Sequence, residues 1–129
     1  MSNDPESTVR AFMSAMESLD YDLALAMVSN DVKYTNMPLG PESTVSGPDG
    51  IRAVLEPFFA PTITNEWVVK AVAVSGGTVF MERLDRHQLP NGWAELPVTG
   101  VFEVSEGKIV SWREYFDYAT IERALADLV

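Results

Sequence analysis

The sequence predicts an α+β domain, with helices first, then a run of long strands, then one closing helix. Three observations carry this reading. Apolar residues in the first half recur at helical spacing. From about Glu66 to Phe116 the chain is rich in β-branched residues and is cut by Gly76-Gly77, Asn91-Gly92 and Glu106-Gly107. After Asp117 the helical spacing returns. Such an order lays helices over one face of a curved sheet. An antiparallel or mixed sheet curled in this way, closed by N-terminal helices and a C-terminal helix, forms a cone with a deep pocket suited to a small apolar ligand.

Each element has a local reason. Asp4 is a candidate N-cap and Pro5 fits the first helical position. Val9, Phe12, Met13, Met16 and Leu19 then share one face. A shorter helix is expected from about Asp20 to Val28, ended by Asn30-Asp31. Val32 to Met37 alternates as a short strand, with Val32, Tyr34 and Asn36 on one side. A Pro/Gly/Ser loop, Pro38 to Pro48, precedes a helix from about Asp49 to Phe59 with the stripe Ile51, Val54, Leu55, Phe58 and Phe59.

Four strands follow, from Glu66 to Val74, Thr78 to Leu89, about Trp93 to Val104 and Lys108 to Phe116. Asn91-Gly92 suggests a type I′ hairpin turn, which needs positive φ at both central residues. Pro97 is a candidate interruption of the third of these strands. Ile121, Ala124, Leu125 and Leu128 mark the last helix.

The 129 residues fit one domain, residues 1–129, with no internal repeat and no long linker. Nine basic against 19 acidic residues give a formal charge of −10. Such a surface repels phosphate backbones and anionic lipid, so neither nucleic acid nor membrane is an expected partner. Cysteine is absent, which excludes disulfides, thiolate metal sites and cysteine nucleophiles. The single histidine, His87, excludes a two-histidine metal site within one chain. No apolar run reaches the roughly 20 residues a membrane span needs. The polar, acidic N-terminus is unlike a secretory signal, and a cytoplasmic location is expected.

Dinucleotide and phosphate loops, a nucleophile elbow, a zinc-protease helix and a calcium loop are all missing. The remaining chemistry belongs to carboxylates, arginine, tyrosine and amides. On the strand Thr78 to Leu89, one face carries Val79, Met81, Arg83, Asp85 and His87. Facing a cavity, Arg83 and Asp85 would be ions in an apolar setting, costly unless paired. Facing water, they would be an ordinary surface pair of little energetic weight. Tyr34 and Asn36 can hold a water by hydrogen bonds, or can be the wet tips of a strand end. Asp117, between the last strand and last helix, is by itself simply a helix cap. His87 near its strand end can line the cavity rim, but reads first as structural or solvated.

Taken together, Tyr34-Thr35-Asn36, Arg83-Leu84-Asp85 and the acid in Ser111-Trp112-Arg113-Glu114-Tyr115-Phe116-Asp117 resemble the limonene-1,2-epoxide hydrolase family. The stretch from Gly100-Val101-Phe102-Glu103-Val104 through Gly107-Lys108-Ile109 to Asp117 resembles it most closely. The resemblance implies a cone of the nuclear transport factor 2 type, related to SnoaL-like proteins, and a homodimer; Trp67, Trp112 and Phe116 can contribute to its interface or can equally be core. It implies one-step opening of a small, hydrophobic, cyclic, terpene-like epoxide by water, giving a vicinal diol without metal or organic cofactor. In that scheme Asp117 is the general base, Tyr34 and Asn36 fix the water, Asp85 is the general acid, and Arg83 sits between the carboxylates. Two ionised carboxylates and one arginine leave a net −1, so one acid should hold its proton near neutrality.

The same cone suits an isomerase or cyclase of the SnoaL or ketosteroid isomerase kind, with an aspartate as carbon base and Tyr34 or Tyr115 on the enolate oxygen. A non-catalytic ligand-binding module is the third reading. The product type separates the first two, and room for a water beside the acids separates the third.

Overall fold

The computed structural model describes residues 4–126 and 128. Helix α1 (Pro5–Glu17) starts after Asp4 with Pro5 in its first turn, as expected. It buries Val9, Phe12, Met13 and Met16, the predicted stripe, with Leu19 half-buried behind it. Helix α2 is shorter than its pattern suggests, Tyr21–Leu25, and is capped by the Asp20 carboxylate, which accepts from the Leu23 amide at 3.1 Å.

Strand β1 (Val28–Asn36) begins four residues earlier than the alternation indicates, so Asn30 and Asp31 lie within a strand and do not end a helix. The cause is tertiary. Val28 pairs with Ile109, and the Met27 carbonyl accepts from the Ile109 amide at 2.9 Å. The Pro/Gly loop folds into two 3₁₀ turns and a two-residue strand β2 (Val45–Ser46). Helix α3 (Gly47–Phe59) buries Ile51, Leu55 and Phe59.

Strands β3 (Thr64–Ser75), β4 (Thr78–Leu89), β5 (Gly92–Ser105) and β6 (Lys108–Tyr115) form the meander, and helix α4 (Tyr118–Ala126) ends it. The sheet order is β2-β1-β6-β5-β4-β3, with β1 and β6 parallel and every other pair antiparallel. The mixed sheet is curled and unclosed, with the helices against its inner face.

Two local expectations change. The β4–β5 hairpin exists, but its loop is Pro90-Asn91, between the paired Leu89 and Gly92. Proline fixes φ near −65°, so this turn is not type I′. The turn with positive φ at both centres is Glu106-Gly107, at 53° and 76°. Pro97 does not interrupt β5. It pairs with Leu84 of β4, and β6 joins only from Thr99 onward, so Pro97 sits where β5 has one neighbour.

The main core gathers around Trp112, which stacks on Phe102 and Tyr34 with ring centroids 5.6 and 4.2 Å apart. Trp67 and Trp112 are 5% and 1% exposed, so both are core residues. A second cluster packs Phe116, Ile121, Ala124, Leu125 and Leu128 against Ala94, Leu96 and Val98. This docks α4 across the mouth of the cone.

Candidate active site

The inner face encloses a cavity of about 560 Å³. Its wall is mostly apolar, from Leu55, Phe59, Leu96, Val98, Phe116 and Leu125 among others. Set into that wall are Tyr34, Asn36, Asp85, His87 and Glu114.

Arg83 organises the polar end. Alternation along β4 turns Met81, Arg83, Asp85 and His87 inward, and Arg83 is 1% exposed. Its Nε and Nη2 donate to the two Asp85 carboxylate oxygens, both at 2.9 Å. Its Nη2 and Nη1 donate to the two Glu114 oxygens at 2.5 and 3.2 Å. One guanidinium therefore makes a forked contact to each of two buried carboxylates, the geometry that favours arginine over lysine. The indole of Trp67 lies under the guanidinium, 4.7 Å from ring centroid to Cζ.

Gly100 makes room for this cluster. It pairs with Met81 on one side and Glu114 on the other. A Cβ there would stand 2.6 Å from both Arg83 Nη1 and Glu114 Oε2.

Tyr34 and Asn36 project from β1 beside Glu114. The parallel β1–β6 register sets Tyr34 opposite Trp112 and Asn36 opposite Glu114. The Tyr34 hydroxyl donates to Asn36 Oδ1 at 3.3 Å. Burial raises the Tyr34 hydroxyl pKa, and the Glu114 charge raises it further, so it stays a neutral donor. Glu114 is itself raised above the usual carboxylate range, first by burial. Arg83 opposes that shift and the Asp85 charge adds to it.

Asp117 is elsewhere, which corrects the placement drawn from the sequence. It is exposed, and its carboxylate accepts from the Ala119 amide at 3.1 Å and the Thr120 hydroxyl at 2.9 Å. It caps α4, and those bonds hold its pKa below the ordinary value. Arg83 does bridge two carboxylates, but they are Asp85 and Glu114. Tyr34, Asn36 and Asp85 line the cavity, with Arg83 buried behind Asp85; Asp117 does not reach it.

The missed residue is Glu114. A bulge hid it: Val104 pairs with Ile109 but Glu103 pairs with Ser111, so Val110 is an extra residue on β6. Counting by twos from Ile109 turns Arg113 inward and Glu114 outward, whereas the bulge reverses both. Trp112 was the available signal, since a buried tryptophan two residues earlier puts Glu114 on the inner face.

Residues 3–127 match the model of the limonene-1,2-epoxide hydrolase catalytic domain. The chain belongs to the limonene-1,2-epoxide hydrolase family, and with it to the epoxide hydrolases. The epoxide hydrolase EphG of Mycobacterium tuberculosis is 32% identical over 110 residues, 84% of this chain and 70% of that protein. The solved structure of an M. tuberculosis LEH-like epoxide hydrolase superposes with a TM-score of 0.77 at 28% identity, covering 95% of this chain and 89% of that one. A putative SnoaL-like polyketide cyclase from Shewanella putrefaciens CN-32 superposes with a TM-score of 0.84 at 14% identity, covering 95% and 96% of the two chains. That likeness is one of fold.

Proposed function

We propose that this family member opens a small, hydrophobic, cyclic epoxide of terpene-like size in one step, giving a vicinal diol. The observation that carries this is Arg83 forked to both Asp85 and Glu114, with the Tyr34–Asn36 pair beside Glu114. Water held by Tyr34 and Asn36 has Glu114 as its nearest carboxylate, so Glu114 is the general base. Asp85, two residues beyond Arg83, is the general acid that protonates the epoxide oxygen as the C–O bond breaks.

The charge sum supports this division. Arg83 with two ionised carboxylates carries −1, and one shared proton makes the cluster neutral. A water donating to Glu114 stabilises its charged form, the form a general base needs. In the reaction Glu114 takes a proton from water, the water oxygen bonds to an epoxide carbon, and Asp85 gives its proton to the departing oxygen. Atoms balance without a cofactor. An isomerase or cyclase reading gives the double fork of Arg83 no task.

The homodimer implied by the family would use the outer sheet face, where Val68, Phe80 and Tyr115 are each about two-fifths exposed. Light scattering of the eluted protein tests that. The chemistry is tested by single turnover of limonene-1,2-epoxide in oxygen-18 water. A diol labelled in the first turnover is expected. An unlabelled diol would mean that a side chain supplied the oxygen through a covalent intermediate.

A further inference from the structure

The cavity holds one buried polar group that the hydration scheme leaves idle, His87. It is 3% exposed and lines the cavity wall, with Phe58 and Phe59 against its ring at 6.2 and 5.3 Å between centroids. Its neighbours fix which nitrogen carries the proton. Asn65, its register partner on β3, is anchored twice. Asn65 Nδ2 donates to the Met16 carbonyl at 2.9 Å, and Asn65 Oδ1 accepts from the Trp67 indole N–H at 3.2 Å. A carbonyl only accepts and an indole N–H only donates, so the amide has one possible orientation.

His87 Nδ1 lies 2.7 Å from that same Oδ1 and must be the donor. Burial lowers the His87 pKa, so the ring is neutral. Neutrality with Nδ1 protonated leaves Nε2 as a bare acceptor. No described residue donates to it. His87 Nε2 is not among the sealed, unpartnered side-chain polar atoms of the described residues. His87 Nε2 therefore keeps an opening onto the cavity that the ring lines.

We propose that His87 Nε2 receives a hydroxyl of the substrate, making this enzyme selective for epoxides that carry an alcohol remote from the ring-opening site. The inference rests on the epoxide reading and deepens it. Asp85 and His87 are two residues apart on one strand face, about 7 Å. An epoxide oxygen at Asp85 and a hydroxyl at His87 would thus be separated by about that distance across an apolar body. A purely hydrocarbon epoxide would bury Nε2 without a partner, which costs binding free energy. His87 is a specificity residue here and takes no part in bond making.

The test has two arms. Because His87 is the single histidine, protein labelled with nitrogen-15 histidine gives one pair of ring signals. The free enzyme at about pH 7.5, above the usual histidine range, should show a protonated Nδ1 and a bare Nε2. Adding 2-cyclohexylethanol, which has no epoxide, should move the Nε2 signal, and propylcyclohexane should not. A proton on Nε2, or the same response to both compounds, overturns the proposal whatever the enzyme's activity.

The second arm compares 1,2-epoxycyclohexanes carrying 2-hydroxyethyl or propyl at C4. In His87→Leu the alcohol-over-propyl ratio of kcat/KM should fall by roughly tenfold from the native value, the scale of one hydrogen bond. An unchanged ratio, with both compounds hydrolysed, overturns the alcohol site and leaves the hydrolase reading intact. An Nε2 response to the alcohol with neither epoxide opened supports the site and overturns the cyclic, terpene-like substrate proposed above.

Discussion

Glu114 stands opposite Asn36 across the parallel β1–β6 pairing, and its carboxylate is held from the other side by both Nη atoms of Arg83. The parallel pairing sets Tyr34 and Asn36 beside that carboxylate. Three residues further on, Asp117 faces solvent and caps a helix. Two acids of similar chemistry therefore have different surroundings, separated by one strand end.

That contrast gives a paired test. Glu114→Gln should lower kcat by about 10²–10⁴-fold, the range for loss of a general base. Its fold should survive, because Arg83 keeps Asp85 as a partner. Asp117→Asn should keep most of its turnover and lose only a little stability through a weakened cap. Turnover and urea denaturation of both proteins check this, and the reverse pattern would return the base to Asp117.

Arg83→Ala leaves two buried carboxylates facing each other without a cation. Breaking a buried ion pair in this way costs about 3–5 kcal/mol. The deficit should shrink as pH falls into the range where both carboxyls are protonated. Thermal melts of native and variant protein across acid pH measure the difference.

Gly100→Ala adds one methyl group 2.6 Å from Arg83 Nη1 and Glu114 Oε2. Overpacking of this kind costs about 1–3 kcal/mol. Both contacts are to the atoms that align the acids, so kcat should fall more than KM rises. Steady-state kinetics with a chemical denaturation curve separates the two effects.

The raised pKa of Glu114 has a definite sign in stability. The folded chain holds this proton up to a higher pH than the unfolded chain does. Stability is therefore lost as pH rises from the ordinary carboxylate range to the raised folded value, about 1.4 kcal/mol for each unit of separation. Glu114→Gln should lack that part of the slope. Hydrolysis should fall as pH drops through the same raised value, because the base becomes protonated. Denaturation curves and kcat measured over one pH series test both limbs.

The sequence by itself determined the α+β order, most of the element positions and which residues of β4 share a face. These are local properties: helical stripes, strand alternation and turn residues act over a few positions. Hence the apolar run Val9 to Met16 and the alternation Val79 to His87 were legible, as was the shared face of Tyr34 and Asn36. The early start of β1 was not, because Val28 is extended only by pairing with Ile109, 81 positions along the chain. Nor was Glu114. One extra residue at Val110 inverts which side chains of β6 point inward, and that bulge is a matter of how β6 meets β5. The identity of the second carboxylate, the gap at Gly100 and the bare nitrogen of His87 all depend on several strands meeting. Tertiary structure alone decided them, since each is a contact between residues that no local spacing relates.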